Sequence, residues 1–204
     1  MSQSIKLRFL IASGPTREPI DPVRFISNYS TGVMGRCLVE AARKQGHRVT
    51  FVECPKDAGT ALELQAKLKT LLPKHNILIM AAAVCDSRPS KVSKVKIKKE
   101  LLRTIYLVKN PDILAGLAKR KKKGQIFIGF GLESSKLFER GLKKLKQKGL
   151  DFIVTQRVGS DASPFGDKSV EAFLLDKRGV YQRFKSIKKN KLAERLIREA
   201  ENAR

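Results

Sequence analysis

The sequence predicts an α/β fold, a doubly wound and mostly parallel Rossmann-like sheet with a C-terminal hairpin and a lysine-rich flap, in a single domain over residues 1–204. Three observations point there. Apolar runs of strand length alternate with segments in which apolar residues recur every three or four positions, so each helix reads as the crossover between parallel strands. With 204 residues, 42% of them hydrophobic, the chain can bury one good core but not two large ones. Residues 12–35 form a connection far longer than the roughly two to six residues that join a strand to a helix in such sheets. It leaves the carboxyl end of a strand, where open α/β sheets bind ligands.

Lys6 to Ala12 is the first strand; after the long connection Met34, Leu38, Ala41 and Ala42 recur at helical spacing until Gly46 ends the helix. His47 to Glu53 reads as a strand, Thr60 to Leu72 as a helix, and Asn76 to Ala83 as a third, very apolar strand. Ser87 to Glu100 has little apolar periodicity and reads as an exposed flap, followed by a short strand at Arg103 to Val108. Pro111 suits the first turn of a helix ending near Arg120, because its missing N–H has no intrahelical partner there. Gln125 to Phe130 is a strand, Ser135 to Lys148 a helix and Phe152 to Thr155 a strand. Beyond a Gly/Ser/Asp/Pro loop from Gly159 to Asp167, Ala172 to Leu175 and Val180 to Phe184 form a hairpin turned by Asp176-Lys177-Arg178-Gly179, and a basic helix follows.

The 43 Lys and Arg against 19 Asp and Glu give a net charge of +24, a field that attracts phosphorylated ligands and polyanions alike. Aromatics are 6% of residues and do not interleave with the lysine blocks, so base stacking is disfavoured and nucleic-acid affinity is expected to be incidental. Cys37, Cys54 and Cys85 lack metal-ligand spacing and are expected to be reduced and packed. No apolar run approaches the ~20 residues of a membrane span, and the chain reads as soluble and cytoplasmic.

Neither GxGxxG nor GxxxxGK[ST] follows the first strand, which argues against routine dinucleotide or P-loop chemistry. Ser30, Thr31, Gly32 and Gly35 sit instead at a helix start, where free backbone N–H groups and the dipole favour an anion; a plain cap by Ser30 or Thr31 is the simpler alternative. Asn28 lies beside that start and can both donate and accept, in an Asx turn or toward a ligand. Asp86 follows the alanines of the third strand, where a carboxylate can meet a metal or a nucleotide, or merely cap a turn. Lys94, Lys96 and Lys98 share one face of the flap if it is extended, as a closing phosphate clamp or as a solvated edge. His47 and His75 precede strands without a useful partner nearby in sequence, and neither is assigned a catalytic role.

Taken together, Gly14 to Asn28 (Gly-Pro-Thr-Arg-Glu-Pro-Ile-Asp-Pro-Val-Arg-Phe-Ile-Ser-Asn), Ala81-Ala82-Ala83-Val84-Cys85-Asp86-Ser87-Arg88-Pro89, Lys96-Ile97-Lys98-Lys99 and Val108-Lys109-Asn110-Pro111-Asp112-Ile113-Leu114-Ala115 resemble, in order and approximate spacing, the bacterial phosphopantothenate-cysteine ligases. The resemblance implies a reaction of coenzyme A biosynthesis: CTP activates 4′-phosphopantothenate as an acyl-cytidylate, and cysteine displaces CMP. It implies that Asn28 orients the acyl-cytidylate and that Lys96 stabilises the pentavalent phosphorus and departing pyrophosphate. Gly14, Thr16 and Arg17, with Ser30, Thr31, Gly32 and Gly35, would line the phosphate side. Ala82, Asp86, Pro111, Asp112, Ile113, Leu114 and Phe130 would form the nucleotide pocket, with Lys144 and Lys148 on its triphosphate and Mg²⁺ neutralising charge. A homodimer is implied, as is a separate phosphopantothenoylcysteine decarboxylase, since the flavin-dependent domain fused in many bacterial members has no counterpart here.

The chain departs from the family's pattern at four places. Val33 stands where a lysine usually precedes Met-Gly, Gln156 stands in place of the Asn of Ala-Asn-Asp-Val, Ser169 replaces part of an Asp-Asn-Asn region, and the segment from Cys54 to Thr60 is short. These changes motivate a second reading, a homologue that binds nucleotide or a partner decarboxylase without ligation. The charge alone motivates a third, a nucleic-acid-binding protein.

Overall fold

The structure is a computed structural model that describes residues 6–179 and 181–203. In chain order its elements are β1 (Arg8–Pro15), β2 (Arg17–Pro19), β3 (Phe25–Ser27), α1 (Val33–Lys44), β4 (Arg48–Glu53), α2 (Ala61–Leu71), β5 (Ile77–Ala83), β6 (Ser87–Pro89) and β7 (Leu107–Lys109). Then come α3 (Ile113–Ala118), β8 (Ile126–Glu133), α4 (Leu137–Gln147), β9 (Phe152–Arg157), β10 (Val170–Asp176), β11 (Tyr181–Ile187) and α5 (Lys189–Asn202). The central sheet runs β11-β10-β9-β8-β5-β1-β4. Its strands from β4 through β9 pair in parallel, and β10 and β11 are antiparallel, so the expected fold class is correct.

The continuous apolar runs of β1 and β5 follow from burial on both faces. Ile11, Ile79, Ile128 and Val154 face Leu38 and Ala42 of α1 and Leu192 and Leu196 of α5. Their immediate neighbours Leu10, Leu78, Phe127 and Ile153 point the other way, onto Leu64 and Leu68 of α2, Leu114 and Leu117 of α3 and Leu145 of α4. From β1 the chain passes to β4 on one side and then returns to β5 on the other. The carboxyl ends of β1 and β5 therefore flank a topological switch point, where the crossovers diverge and leave a crevice.

Several local expectations are revised. The long connection carries a small ladder, with Arg17 opposite Ser27 and Pro19 opposite Phe25, whose three-residue strands are too short to announce themselves by alternation. The strand after the flap is confined to Leu107–Lys109, because its partner β6 offers only three residues, Ser87 to Pro89. Pro111 precedes α3 rather than entering its first turn: Asp112 is the N-cap and accepts from the N–H of Ala115, and the helix ends at Ala118. The hairpin of β10 and β11 forms with Gly179 at φ 88°; Val180 lies outside the described residues.

Candidate active site

A cavity of about 590 Å³ opens at the carboxyl ends of β1, β5, β8 and β9. Of the sequence-predicted residues it brings together Asn28, Ser30, Thr31, Gly32, Ala82, Asp86, Pro111, Asp112, Ile113, Leu114, Phe130, Lys144 and Lys148. Asn28 reaches it from the end of β3, and its Nδ2 donates to the carbonyl of Val84 at 3.0 Å, which locks the amide across the end of β5. Asp86 is exposed in the wall, and its backbone carbonyl accepts from the N–H of Asn110, joining the segment after β5 to the one before α3.

The α1 start differs from an ordinary cap. Gly32 is the N-cap at φ 69°, no side chain caps the helix, and the first turn has no acidic residue. Ser30 Oγ reaches only the N–H of Gly32, at 3.4 Å, so the simple Ser/Thr cap considered from sequence is not formed. Free amides at the end of a three-turn helix therefore face the cavity.

Gly14, Thr16, Arg17 and Gly35 do not line the cavity; they brace its walls from behind. A Cβ on Gly14, at φ 81°, would overlap the Cys54 carbonyl, and one on Gly35 would overlap the Ser13 side chain, so both glycines permit close approach of backbone. Thr16 is wholly buried and ties two strand ends: its N–H donates to Ala83 and its Oγ1 accepts from the N–H of Cys85. Arg17 points outward and stacks on Phe25 at 4.7 Å from the ring centroid.

Both lysines of α4 are already paired. Lys144 Nζ lies 2.6 Å from Glu133, which Arg140 also contacts at 3.0 Å, and Lys148 Nζ lies 2.9 Å from Asp112. Burial opposes ionisation of Asp112, but the Ala115 N–H and Lys148 outweigh it and hold the pKa below the usual value. Glu133 follows the same balance, with Lys144 and Arg140 overcoming its burial.

Lys96 is exposed and outside the cavity. The even alternation expected of the flap lysines is broken, because Ser93 Oγ bonds both the carbonyl and the N–H of Val95 and bends the chain there. The flap is nonetheless anchored one residue past Lys96. Asp21 Oδ2 accepts from the N–H of Ile97 at 3.2 Å, and Arg24, paired with the same carboxylate, donates to the Ile97 carbonyl at 2.7 Å. The Arg24 guanidinium beside it holds Asp21 far below the usual carboxylate range. With a lowered folded-state pKa, this clamp contributes fully above the unfolded value near ~3.9 and is lost only as pH falls through the folded value. Asp21→Ala is therefore expected to raise tryptic cleavage at Lys91 to Lys99 several-fold at neutral pH; an unchanged cleavage rate would show that the clamp does not hold the flap.

Other cavity residues carried little signal in the sequence. Phe165 packs on Tyr29 at 5.8 Å between centroids, and the Gly166 N–H donates to Thr31 Oγ1, so the loop before β10 closes over the α1 start. Lys189 lines the cavity although it is only 3% exposed. The available clue was its register: Lys189, Leu192, Ala193, Leu196, Ile197 and Ala200 form one buried stripe of α5, which puts a lysine on an apolar face. Both histidines lie at the opposite sheet end, His47 on Glu201 and His75 on Thr50, away from the cavity.

The family model of the DNA/pantothenate metabolism flavoprotein C-terminal domain matches residues 5–203. The chain belongs to that family. It is 35% identical over 205 residues to the coenzyme A biosynthesis bifunctional protein CoaBC of Borreliella burgdorferi, an alignment covering 94% of this chain and 51% of that protein. The crystal structure of the C-terminal domain of CoaBC matches with a TM-score of 0.78 at 28% identity, over 97% of each chain. Cab2, solved as its H337A mutant in complex with phosphopantothenate-cysteine, shares the fold at a TM-score of 0.74 and 18% identity, over 95% of this chain and 85% of that one. The chain spans about half the length of the curated relatives it matches. Among the described residues no helix is long and apolar enough to cross a membrane.

Proposed function

We propose that the cavity joins 4′-phosphopantothenate to cysteine through an acyl-cytidylate, as the ligase step of coenzyme A biosynthesis. The observation that carries this reading is the convergence in one crevice of Asn28, the uncapped α1 start, Asp86, and Lys144 and Lys148. Membership in the family of the CoaBC C-terminal domain and the phosphopantothenate-cysteine bound by Cab2 supply the substrate class.

In this reading the substrate carboxylate attacks the α-phosphorus of CTP and pyrophosphate leaves; the cysteine amine then attacks the acyl carbon and CMP leaves. Ala82, Pro111, Ile113, Leu114 and Phe130 form the apolar walls for the base and ribose, and Asn28 orients the acyl group from the end of β3. Lys144 and Lys148 exchange Glu133 and Asp112 for the triphosphate, keeping both ammonium groups paired throughout. Asp86, exposed in the cavity wall, is the carboxylate that would help to hold a magnesium ion, which would supply neutralisation of phosphate charge.

The arm around β6 and β7 exposes Val92, Val95, Leu101, Tyr106 and Leu107, an apolar surface suited to a second copy of this chain. A decarboxylase would then act on the product. The alternative, binding of nucleotide or a partner decarboxylase without ligation, is motivated by Val33, Gln156 and Ser169. The two part on turnover: with phosphopantothenate, CTP, Mg²⁺ and cysteine, the ligase releases pyrophosphate and CMP in equal amounts, whereas saturable CTP binding without pyrophosphate would support the alternative.

A further inference from the structure

We propose that Lys189 and Gln156 recognise the phosphate end of the substrate, Lys189 as a fixed cation and Gln156 as a neutral donor, opposite the uncapped start of α1. The inference rests on the ligase reading for the identity of the substrate. Lys189 enters the cavity from the first residue of α5 and is 3% exposed. Its ammonium donates to the carbonyl of Pro164 at 2.6 Å and to that of Gly166, which accounts for two of its three protons, and no carboxylate pairs with it among the described residues. Burial pushes its pKa down, opposed by Cys37 and Asp167, so a bound anion would relieve a cation that the fold leaves without a full partner.

Gln156 is the independent second observation. It is 5% exposed, lines the same cavity, and its Nε2 is buried without a hydrogen-bond partner. An orphaned buried donor is costly and calls for a ligand acceptor. Its direction follows from the sheet: Val154 and Phe152, two and four residues earlier, lie in the core under α1 and α5, so period two sends Gln156 to that same side at the carboxyl edge. Lys189 and the α1 start lie on that side too. Val33 leaves the first residue of α1 without a cation. Lys189 supplies one from α5, and Gly166, whose carbonyl accepts from Lys189 and whose N–H donates to Thr31 Oγ1, joins it to the segment before α1.

Lys189 could instead serve only to hold the loop at Pro164 and Gly166. A loop anchor would weaken all ligands alike, whereas a phosphate contact acts on phosphorylated ones alone. The test is calorimetric titration of the full chain with 4′-phosphopantothenate and with pantothenate, which lacks the phosphate. Wild type is expected to prefer the phosphorylated ligand by at least about tenfold, as charge-assisted bonds of this kind warrant. Lys189→Gln should erase most of that ratio and Gln156→Met part of it. Should Lys189→Gln fail to fold, Gln156→Met, which touches no loop carbonyl, still decides. A folded Lys189→Gln that keeps the ratio overturns the proposal, as does a wild type that binds both ligands alike or neither. Titration needs no turnover, so absence of ligation would sink the ligase reading while leaving this ratio to be measured.

Discussion

Lys96→Ala is expected to slow pyrophosphate release by about 10²–10³-fold, the usual loss when one positioned charge donor to a transition state is removed. Activation of a carboxylate by a nucleotide concentrates negative charge on the phosphorus oxygens and on the departing pyrophosphate. The cations already lining the cavity, Lys144 and Lys148, are paired to Glu133 and Asp112 and suit ground-state binding of the triphosphate. Lys96 is exposed and unpaired among the described residues, outside the cavity, next to an anchor at Ile97 made by Asp21 and Arg24. A side chain held on a tethered flap can swing in as charge develops, while the tether limits the entropy lost on closure. The loss should therefore fall on kcat, with KM for CTP changed by no more than a few-fold. A variant that raises KM alone would make Lys96 a nucleotide-binding residue.

Asn28→Ala is expected to separate the two half-reactions. The side chain is anchored by Val84 at the end of β5, a few residues before the uncapped α1 start. Its removal should leave the pyrophosphate burst nearly intact and slow amide formation by about 10²-fold, so that acyl-nucleotide accumulates. Folding should be little affected, since Asn28 is exposed and loses one hydrogen bond, a cost of about 0.5–1.5 kcal/mol. Equal slowing of both half-reactions would instead place Asn28 at the nucleotide.

What the sequence disclosed follows from what each residue does. Apolar runs such as Ile77 to Ala83 are buried on both faces and cannot be mistaken for solvent-facing chain, so the parallel sheet was legible. Asn28 and Asp86 stood out at strand ends with plain turn roles still open, and the 111–114 segment entered only through the family resemblance, because which loops meet is decided by the fold that brings all three to one cavity. The β2/β3 ladder was not, because three-residue strands carry no period. Lys144 and Lys148 line the cavity, but their carboxylate partners lie on β8 and at the α3 cap, long-range pairings that no local spacing reports. Lys189 was hidden among the basic residues of α5, and only its register on the buried stripe marked it. Asp21 and Arg24 lay inside a recognised motif, yet their work, clamping Ile97 across more than seventy residues of chain, exists only in the fold.

The most direct test of the ligase account is a two-stage assay on the purified chain: phosphopantothenate, CTP and Mg²⁺ first, cysteine afterward. The account predicts a stoichiometric burst of pyrophosphate without CMP, then CMP release and amide formation when cysteine is added. No pyrophosphate at either stage, with CTP or any other nucleoside triphosphate, would contradict it.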